Sequence, residues 1–187
     1  MALKNQASNP ITSVALTENL DPNRLIAQLP IRPYERILDA GCGSGHFTIP
    51  LAKFLFDGGV YAVDSVPANL KLLKEKLPST RLSNVEIITS KKQQQAIPAE
   101  SLDGAFLPFV LHQSTDRESL LRDLLKPLKK GAWVGVLEWQ KKASPEGPPE
   151  NQRMSGIEVA TLAERVGFRF NGKRDMTSKY HLVLLRK

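Results

Sequence analysis

Short apolar runs and stretches of helical spacing alternate along the chain. The apolar runs predict buried parallel strands in RILDA, GVYAVD, NVEIIT, LDGAFLPFVLH and GAWVGVLEW. Large apolar residues three or four positions apart predict the helices between them, in HFTIPLAKFLF, PANLKLLKEKL, DRESLLRDLLKPL and SGIEVATLAERVG. Two further strands are expected from Phe168 to the closing HLVLLRK. This regular alternation predicts a doubly wound α/β sheet that binds its ligand at the carboxyl ends of the strands.

Local capping signals predict where several helices begin and end. DPNRLIAQLP begins with Asp21 as N-cap and a proline at the first helical position, which predicts a short helix. A proline is tolerated only in the first turn, so the helix containing Pro50 should begin shortly before it. Ser65 is expected to cap the helix that starts at Pro67, and Gly167 to end the last helix.

Composition limits the class of protein. The 187 residues, 41% hydrophobic and 24% charged, fit one globular domain and exclude a disordered or fibrous chain. Because the first twenty residues lack periodicity, we expect an N-terminal arm over residues 1–20 and one domain over residues 21–187. The absence of a long apolar run and of a secretion signal predicts a cytoplasmic protein without a membrane span. One cysteine and three scattered histidines predict neither a disulfide nor a metal site.

The net charge of +7 is concentrated at one end of the chain. Residues 1–119 carry 12 basic and 12 acidic side chains, whereas residues 120–187 carry 14 and 7. This excess favours an anionic partner such as nucleic acid, a membrane surface or an acidic substrate. The alternative is a solvated lysine-rich surface, because the basic residues are dispersed and are not interleaved with aromatic residues that could stack on bases.

The most informative motif is the loop between the first strand and its helix. Asp39 precedes three alternating glycines, Gly41, Gly43 and Gly45, which allow a ligand to approach the backbone closely. A dinucleotide fingerprint would need a glycine at position 46, where His46 stands. An acid beside the loop disfavours a pyrophosphate but suits a ligand with an ammonium group, held directly or through water. Cys42 is interpreted as a small turn residue, since no base beside it would activate a nucleophile.

The segment ILDAGCGSGHFTIPLAK resembles the first motif of the class I methyltransferases that use S-adenosylmethionine. Asp64, nineteen residues after Gly45 at the end of VYAVD, is placed to accept the ribose hydroxyls, and Ser65 lies beside it. The alternative is that Asp64 caps the next helix, a role that Ser65 could also perform. Within the class, FLPFVLHQSTDRESLLRDLLKPLKKGAWVGVLEW is most similar to the branch of ubiquinone/menaquinone-biosynthesis methyltransferases. The resemblance implies a Rossmann-like sheet of seven strands in the order 3-2-1-4-5-7-6. It also implies that the last strand is antiparallel and that helices cover both faces.

Two positions depart from the family's pattern. After the third strand the family often has an acid for the adenine amino group, whereas this chain has Ser90 followed by KKQQQ. The Ser90 hydroxyl, a glutamine side chain or a backbone carbonyl would have to replace it. At the end of the fourth strand Phe109 stands where the branch commonly has a polar residue. Phe109 is expected to line the cofactor pocket through its carbonyl and ring.

His112 is the candidate catalytic residue, placed where the fourth strand should open into the site. It would act as a general base near neutral pH. The alternative is a structural histidine, because a displacement at a sulfonium needs no dedicated base. The prolines of KKASPEGPPENQRM either wall the acceptor pocket, with Lys141, Lys142 and Arg153 nearby, or form an exposed linker.

The function expected from these features is methyl transfer from S-adenosylmethionine to a small-molecule acceptor. LPFV lacks the polar residue that would indicate methylation of base amino groups, and no RNA-binding module is recognised. Three alternatives stay open: a cofactor- or partner-binding domain without turnover, a nucleic-acid methyltransferase and a nicotinamide oxidoreductase.

Overall fold

Seven strands form one sheet in the computed structural model, which describes residues 20–187. The strands are β1 (Arg36–Ala40), β2 (Gly59–Val63), β3 (Val85–Ile88), β4 (Leu102–Pro108), β5 (Leu128–Trp139), β6 (Arg169–Asp175) and β7 (Tyr180–Arg186). Their order is β3-β2-β1-β4-β5-β7-β6. Strands β1 to β5 pair in parallel, whereas β7 is antiparallel to β5 and β6. The predicted fold, strand order and antiparallel last strand are therefore confirmed.

Six α-helices connect these strands within the described residues. They are α1 (Pro22–Ile26), α2 (Thr48–Phe54), α3 (Pro67–Thr80), α4 (Lys91–Ala96), α5 (Arg117–Asp123) and α6 (Gly156–Val166). Asp21 caps α1 by accepting the Asn23 N–H at 2.9 Å, and Gly167 ends α6 with a φ of 116°. None of the described helices is long and apolar enough to cross a membrane. The arm predicted for residues 1–20 lies outside the described residues, apart from the buried Leu20.

Two local predictions differ from the structure, and one helix was missed. Ser65 does not cap α3, because the extended residue Val66 is its N-cap and Asp64 accepts the Val66 N–H at 2.7 Å. The fourth strand ends at Pro108 rather than running to His112, because Phe109 has a left-handed φ of 57° that a strand cannot contain. Helix α4 was not predicted, since KKQQQA buries no side chain and so has no apolar period.

The hydrophobic core occupies both faces of the sheet. Leu25 of α1 and Leu51 of α2 belong to a cluster on one face that also contains Trp133 and Trp139 of β5. On the other face, α5 and α6 contribute Leu121, Val159 and other residues to a cluster around β4, β5 and β7. Because both faces are covered, the central strands are apolar nearly throughout.

The carboxyl ends of the parallel strands meet at one edge of the sheet. Ala40 of β1 lies opposite Val63 of β2, and Pro108 of β4 opposite Leu137 of β5. The chain reverses its direction of winding between β1 and β4, which is where such sheets open a crevice for a ligand. This edge carries the candidate functional site.

Candidate functional site

The loop after β1 requires its glycines. Gly41, Gly43 and Gly45 have φ values of 85°, 55° and 91°, which residues with a Cβ rarely adopt. A Cβ on Gly41 would also lie 2.4 Å from Cγ2 of Val110, in the turn that follows β4. The N–H groups of Gly41 and Cys42 both donate to the Val63 carbonyl, at 2.7 and 3.0 Å, which fixes the loop across the ends of β1 and β2.

Asp39 is a buried carboxyl group, and the described chain provides a hydrogen-bond partner for one of its two oxygens. Its Oδ2 accepts a hydrogen bond from Thr48 Oγ1 at 2.7 Å. Its Oδ1 is buried and has no hydrogen-bond partner among residues 20–187. Burial raises the pKa of Asp39 from 3.8 to about 7, with a contribution from the charge of Asp64, while the Thr48 hydrogen bond opposes the rise. A cation close to Oδ1 would relieve this cost, so the site fits a ligand with an ammonium group.

Asp64 connects the glycine loop to helix α3. Its Oδ2 accepts the Gly43 N–H at 2.8 Å, and its Oδ1 accepts the Val66 N–H at 2.7 Å and Asn69 Nδ2 at 3.3 Å. Each carboxylate oxygen has two acceptor positions, so Oδ2 retains one for a ligand hydroxyl. Ser65 is exposed beside it. The ribose contacts expected of Asp64 and Ser65 stay predictions.

Ser90 and Phe109 are both engaged within the protein. Ser90 is the N-cap of α4 and its Oγ accepts the Gln93 N–H at 3.2 Å. The Phe109 carbonyl accepts Gln113 Nε2 at 2.8 Å. The Phe109 ring packs in a buried aromatic cluster, with its centroid 5.1 Å from that of Tyr180. The cofactor contacts expected of Ser90 and Phe109 stay predictions, and both residues would need to serve a ligand in addition to these partners.

His112 lies on a short 3-10 turn after β4 and is paired with an acid that the sequence reasoning missed. His112 Nδ1 is 2.8 Å from Oε2 of Glu138, and the His112 backbone N–H donates to Oε1 at 3.2 Å. The Glu138 side chain is fully buried near the carboxyl end of β5. A lone acid within the apolar run GAWVGVLEW was the available signal, because a carboxylate on a buried strand needs a partner.

Arg153 fastens the proline-containing connection to the end of β5. Its guanidinium donates to four backbone carbonyls of residues 140–148 at 2.6 to 3.3 Å, and it lies over the Trp139 ring at 5.1 Å.

Arg117 joins the two loops at this edge by donating to the carbonyls of Leu111 and Gln152. Lys141 pairs with Glu158. The connection is therefore held against the domain, and Arg153 supports it from within.

Cys42 and the histidines do not form a reactive or metal-binding cluster in the part of the chain described. Cys42 is buried, and burial raises the pKa of its thiol, so the thiolate is disfavoured. No group of three or more His, Cys, Asp or Glu residues among residues 20–187 could hold a metal ion. Carboxylates, loop amides and the His112 imidazole are the groups that the edge offers to a ligand.

Sequence comparisons agree with this geometry. The family described as "Methyltransferase domain" has a sequence model that matches residues 38–136, slightly more than half of the chain. The chain is 30% identical over 112 residues to the "Ubiquinone/menaquinone biosynthesis C-methyltransferase UbiE" of Vibrio parahaemolyticus, covering 59% of this chain and 43% of that protein. It is 28% identical over 135 residues to the "S-adenosyl-L-methionine-dependent Diels-Alderase iccD" of Talaromyces variabilis, covering 71% and 46%. The chain thus spans less than half the length of these two relatives.

Solved structures show the same fold. A SAM-dependent methyltransferase from Aquifex aeolicus superposes with a TM-score of 0.86 at 24% identity, covering 96% of this chain and 98% of that one. The cyclase SpnF superposes with a TM-score of 0.75 at 15% identity, covering 89% and 80%. At these identities the likeness shows the architecture alone.

Proposed function

The chain belongs to the methyltransferase domain family, and from this premise we propose that it transfers a methyl group from S-adenosylmethionine to a small-molecule acceptor. One observation carries the proposal: an oxygen of Asp39 that is buried and has no partner among residues 20–187 lies at the start of a loop whose three glycines have positive φ values. S-adenosylmethionine has an ammonium group and a sulfonium, so two neighbouring acids attract it, whereas they would repel a pyrophosphate.

In this proposal, different residues at this edge contact different groups of the ligand. Asp39 holds the ammonium group, directly or through water, and the loop backbone at Gly41, Gly43 and Gly45 packs against the ligand. Asp64 takes the ribose through the acceptor position left on Oδ2, with Ser65 beside it. Ser90 and Phe109 lie at the adenine side. When bound, the sulfonium supplies an activated methyl group, and the protein's part is to align the acceptor with it.

The proposed acceptor is a small molecule that binds at the edge where the turn carrying His112 and the connection held by Arg153 lie. The relative named as a ubiquinone/menaquinone C-methyltransferase supports a small acceptor rather than a nucleic acid. The cytoplasmic location expected from the sequence belongs to this proposal.

A second candidate function is cyclisation of a small molecule in the presence of bound cofactor, without methyl transfer. The similarity to the protein named as an S-adenosyl-L-methionine-dependent Diels-Alderase favours it. This candidate is one form of a cofactor-binding domain that lacks methyl turnover.

Calorimetry with S-adenosylmethionine, S-adenosylhomocysteine and NAD, each titrated separately, tests the cofactor before any acceptor is known. Binding of the first two compounds without NAD is the expected result. Binding of NAD alone would refute the proposal and restore the oxidoreductase alternative. Incubation with methyl-labelled S-adenosylmethionine and a panel of small molecules then separates transfer from cyclisation, because only transfer moves the label.

A further inference from the structure

Glu138 is a buried carboxylate whose two oxygens are both held by one residue. The backbone N–H of His112 donates to Oε1 at 3.2 Å, and Nδ1 of the same residue lies 2.8 Å from Oε2. The Glu138 side chain has no exposed surface and the His112 side chain is only 7% exposed. An isolated carboxylate in such a place is costly to bury, and an apolar residue would serve the sheet at less cost. The pair therefore points to a function at this edge.

The contact with Glu138 fixes which nitrogen of His112 carries the proton. A carboxylate oxygen only accepts, so Nδ1 must donate, and in the neutral ring the lone pair then lies on Nε2. Among residues 20–187, no hydrogen bond occupies Nε2, and this atom is not one of the fully buried unpartnered atoms. Solvent or a ligand can therefore reach the nitrogen that is able to take up a proton.

The neighbouring charged groups do not compete with His112 for the Glu138 carboxylate. His181 lies opposite Glu138 across the β5–β7 pairing, and burial lowers its pKa, so it stays neutral beside the carboxylate. The guanidinium groups of Arg117 and Arg153 both donate to backbone carbonyls. In the described chain, His112 is thus the residue that hydrogen-bonds the Glu138 carboxylate.

The turn that carries His112 also lies against the cofactor loop. Val110, two residues before His112, packs so closely on Gly41 that a Cβ there would be 2.4 Å from its Cγ2. The free Nε2 is consequently on the segment that borders the expected methyl donor.

We propose that Glu138 positions His112 as the base of the reaction and that the acceptor is a phenolic or enolic hydroxyl compound methylated on oxygen. This inference rests on the proposed methyl transfer. The acceptor oxygen attacks the methyl carbon while its proton passes to His112 Nε2. The electron pair of the broken carbon–sulfur bond goes to sulfur, which leaves S-adenosylhomocysteine, and the imidazolium is stabilised by Glu138 until the proton is lost to solvent. An imidazole can deprotonate a phenol, with a pKa of about 10, far more readily than an aliphatic alcohol.

The first test measures the tautomer of His112 by nitrogen-15 NMR on the protein with and without S-adenosylhomocysteine. The parent should show the Nδ1–H form. Glu138→Gln offers one carbonyl oxygen to two converging donors, so its amide should turn and donate to Nδ1, which moves the ring proton to Nε2. The matched control is Glu35→Gln at the opposite edge, where a single donor, Trp133 Nε1 at 2.8 Å, can still be accepted. An Nε2–H ring in the parent would overturn the proposal, whether or not the Glu138→Gln variant folds.

The second test compares methyl transfer to catechol and to 4-nitrocatechol, whose nitro group makes its hydroxyl much more acidic. Glu138→Gln and His112→Gln should lower kcat with catechol by on the order of 10²-fold or more, and far less with 4-nitrocatechol, which ionises without a base. Affinity for S-adenosylhomocysteine should stay within a few-fold in both variants. Equal losses with both probes, or methylation of neither, would contradict the base and the hydroxyl acceptor. Failure of the parent to bind S-adenosylhomocysteine would instead refute the proposed function.

Discussion

Replacing Asp39 by asparagine should have opposite effects on stability and on cofactor binding. The carboxyl group is fully buried, and its Oδ1 has no partner in the described chain. Its pKa, ordinarily 3.8, is raised to about 7 by burial. Ionised Asp39 therefore makes folding less favourable, while it is the form that a bound ammonium group needs.

The free-energy cost of ionising Asp39 in the folded protein can be estimated from these two pKa values. The unfolded chain loses the Asp39 proton near pH 3.8 and the folded chain keeps it to about pH 7, so the folded state holds more protons between them. The free energy of unfolding of the parent should therefore fall as pH rises through this window. At about 1.4 kcal/mol for each tenfold change, the full loss is roughly 4 kcal/mol, of which about 3 kcal/mol lies between pH of about 5 and about 9.

Asp39→Asn should remove this pH dependence. Its amide can still accept the Thr48 hydrogen bond, but burying its unpartnered N–H groups costs about 1–3 kcal/mol. The variant should thus be more stable than the parent by about 1–3 kcal/mol at alkaline pH and less stable at acidic pH. Urea unfolding at several pH values measures this, with the exposed Asp57→Asn as control.

Cofactor binding supplies the second half of the test. Loss of a charge-assisted contact of about 1.5–3 kcal/mol should weaken S-adenosylhomocysteine binding by roughly ten- to a hundredfold. A variant that binds S-adenosylhomocysteine as tightly as the parent would exclude the contact between Asp39 and the ammonium group, and an unchanged slope of stability against pH would exclude the raised pKa of Asp39.

Three further substitutions test other parts of the site. Asp64→Asn should weaken S-adenosylhomocysteine binding by about tenfold or more in calorimetry, because an amide has one acceptor oxygen for donors that now use two; unchanged affinity would exclude the ribose assignment. Gly41→Ala should lower the free energy of unfolding in urea by well over the roughly 1–2 kcal/mol of left-handed strain, owing to Val110. Gly131→Ala is the control, because Gly131 has a φ of 78° and open space around it, so this substitution introduces the backbone strain without a steric clash. Arg153→Lys provides three donors for four carbonyls, so hydrogen exchange over residues 140–152 should become faster; an unchanged rate would show that the guanidinium does not hold the connection.

The sheet and the glycine loop could be predicted because their signals are local. An apolar run followed by alternating glycines has one common structural solution, and the observed positive φ values at Gly41, Gly43 and Gly45 are those that glycine permits. Helix α6 could be predicted equally well, since Ser155 and Glu158 form a capping box within four residues. The strand order, by contrast, came from the resemblance to a family, because periodicity does not specify which strands are neighbours.

The pairing of side chains that are distant in sequence could not be predicted. His112 and Glu138 are twenty-six residues apart, and only the parallel pairing of β4 with β5 brings them together. The sequence left open whether the connection near Arg153 walls the acceptor pocket or is an exposed linker. The burial of Arg153 could not be predicted, because it depends on backbone carbonyls that are brought to the guanidinium only when the connection folds. The Ser65 cap was wrong for a local reason, since a hydroxyl and the neighbouring Asp64 compete for the same helix end and the carboxylate is the stronger acceptor.

Three acids lie at the carboxyl ends of β1, β2 and β5, and they differ in their hydrogen-bond partners. Asp64 accepts three N–H groups and Glu138 accepts two, so both are already stabilised as acceptors by the protein itself. Asp39 accepts one hydroxyl and keeps a buried oxygen without a partner in the described chain. The acid with the least internal support gains most from a cationic ligand. Binding of the proposed cofactor should therefore change the environment of Asp39 more than that of Asp64 or Glu138.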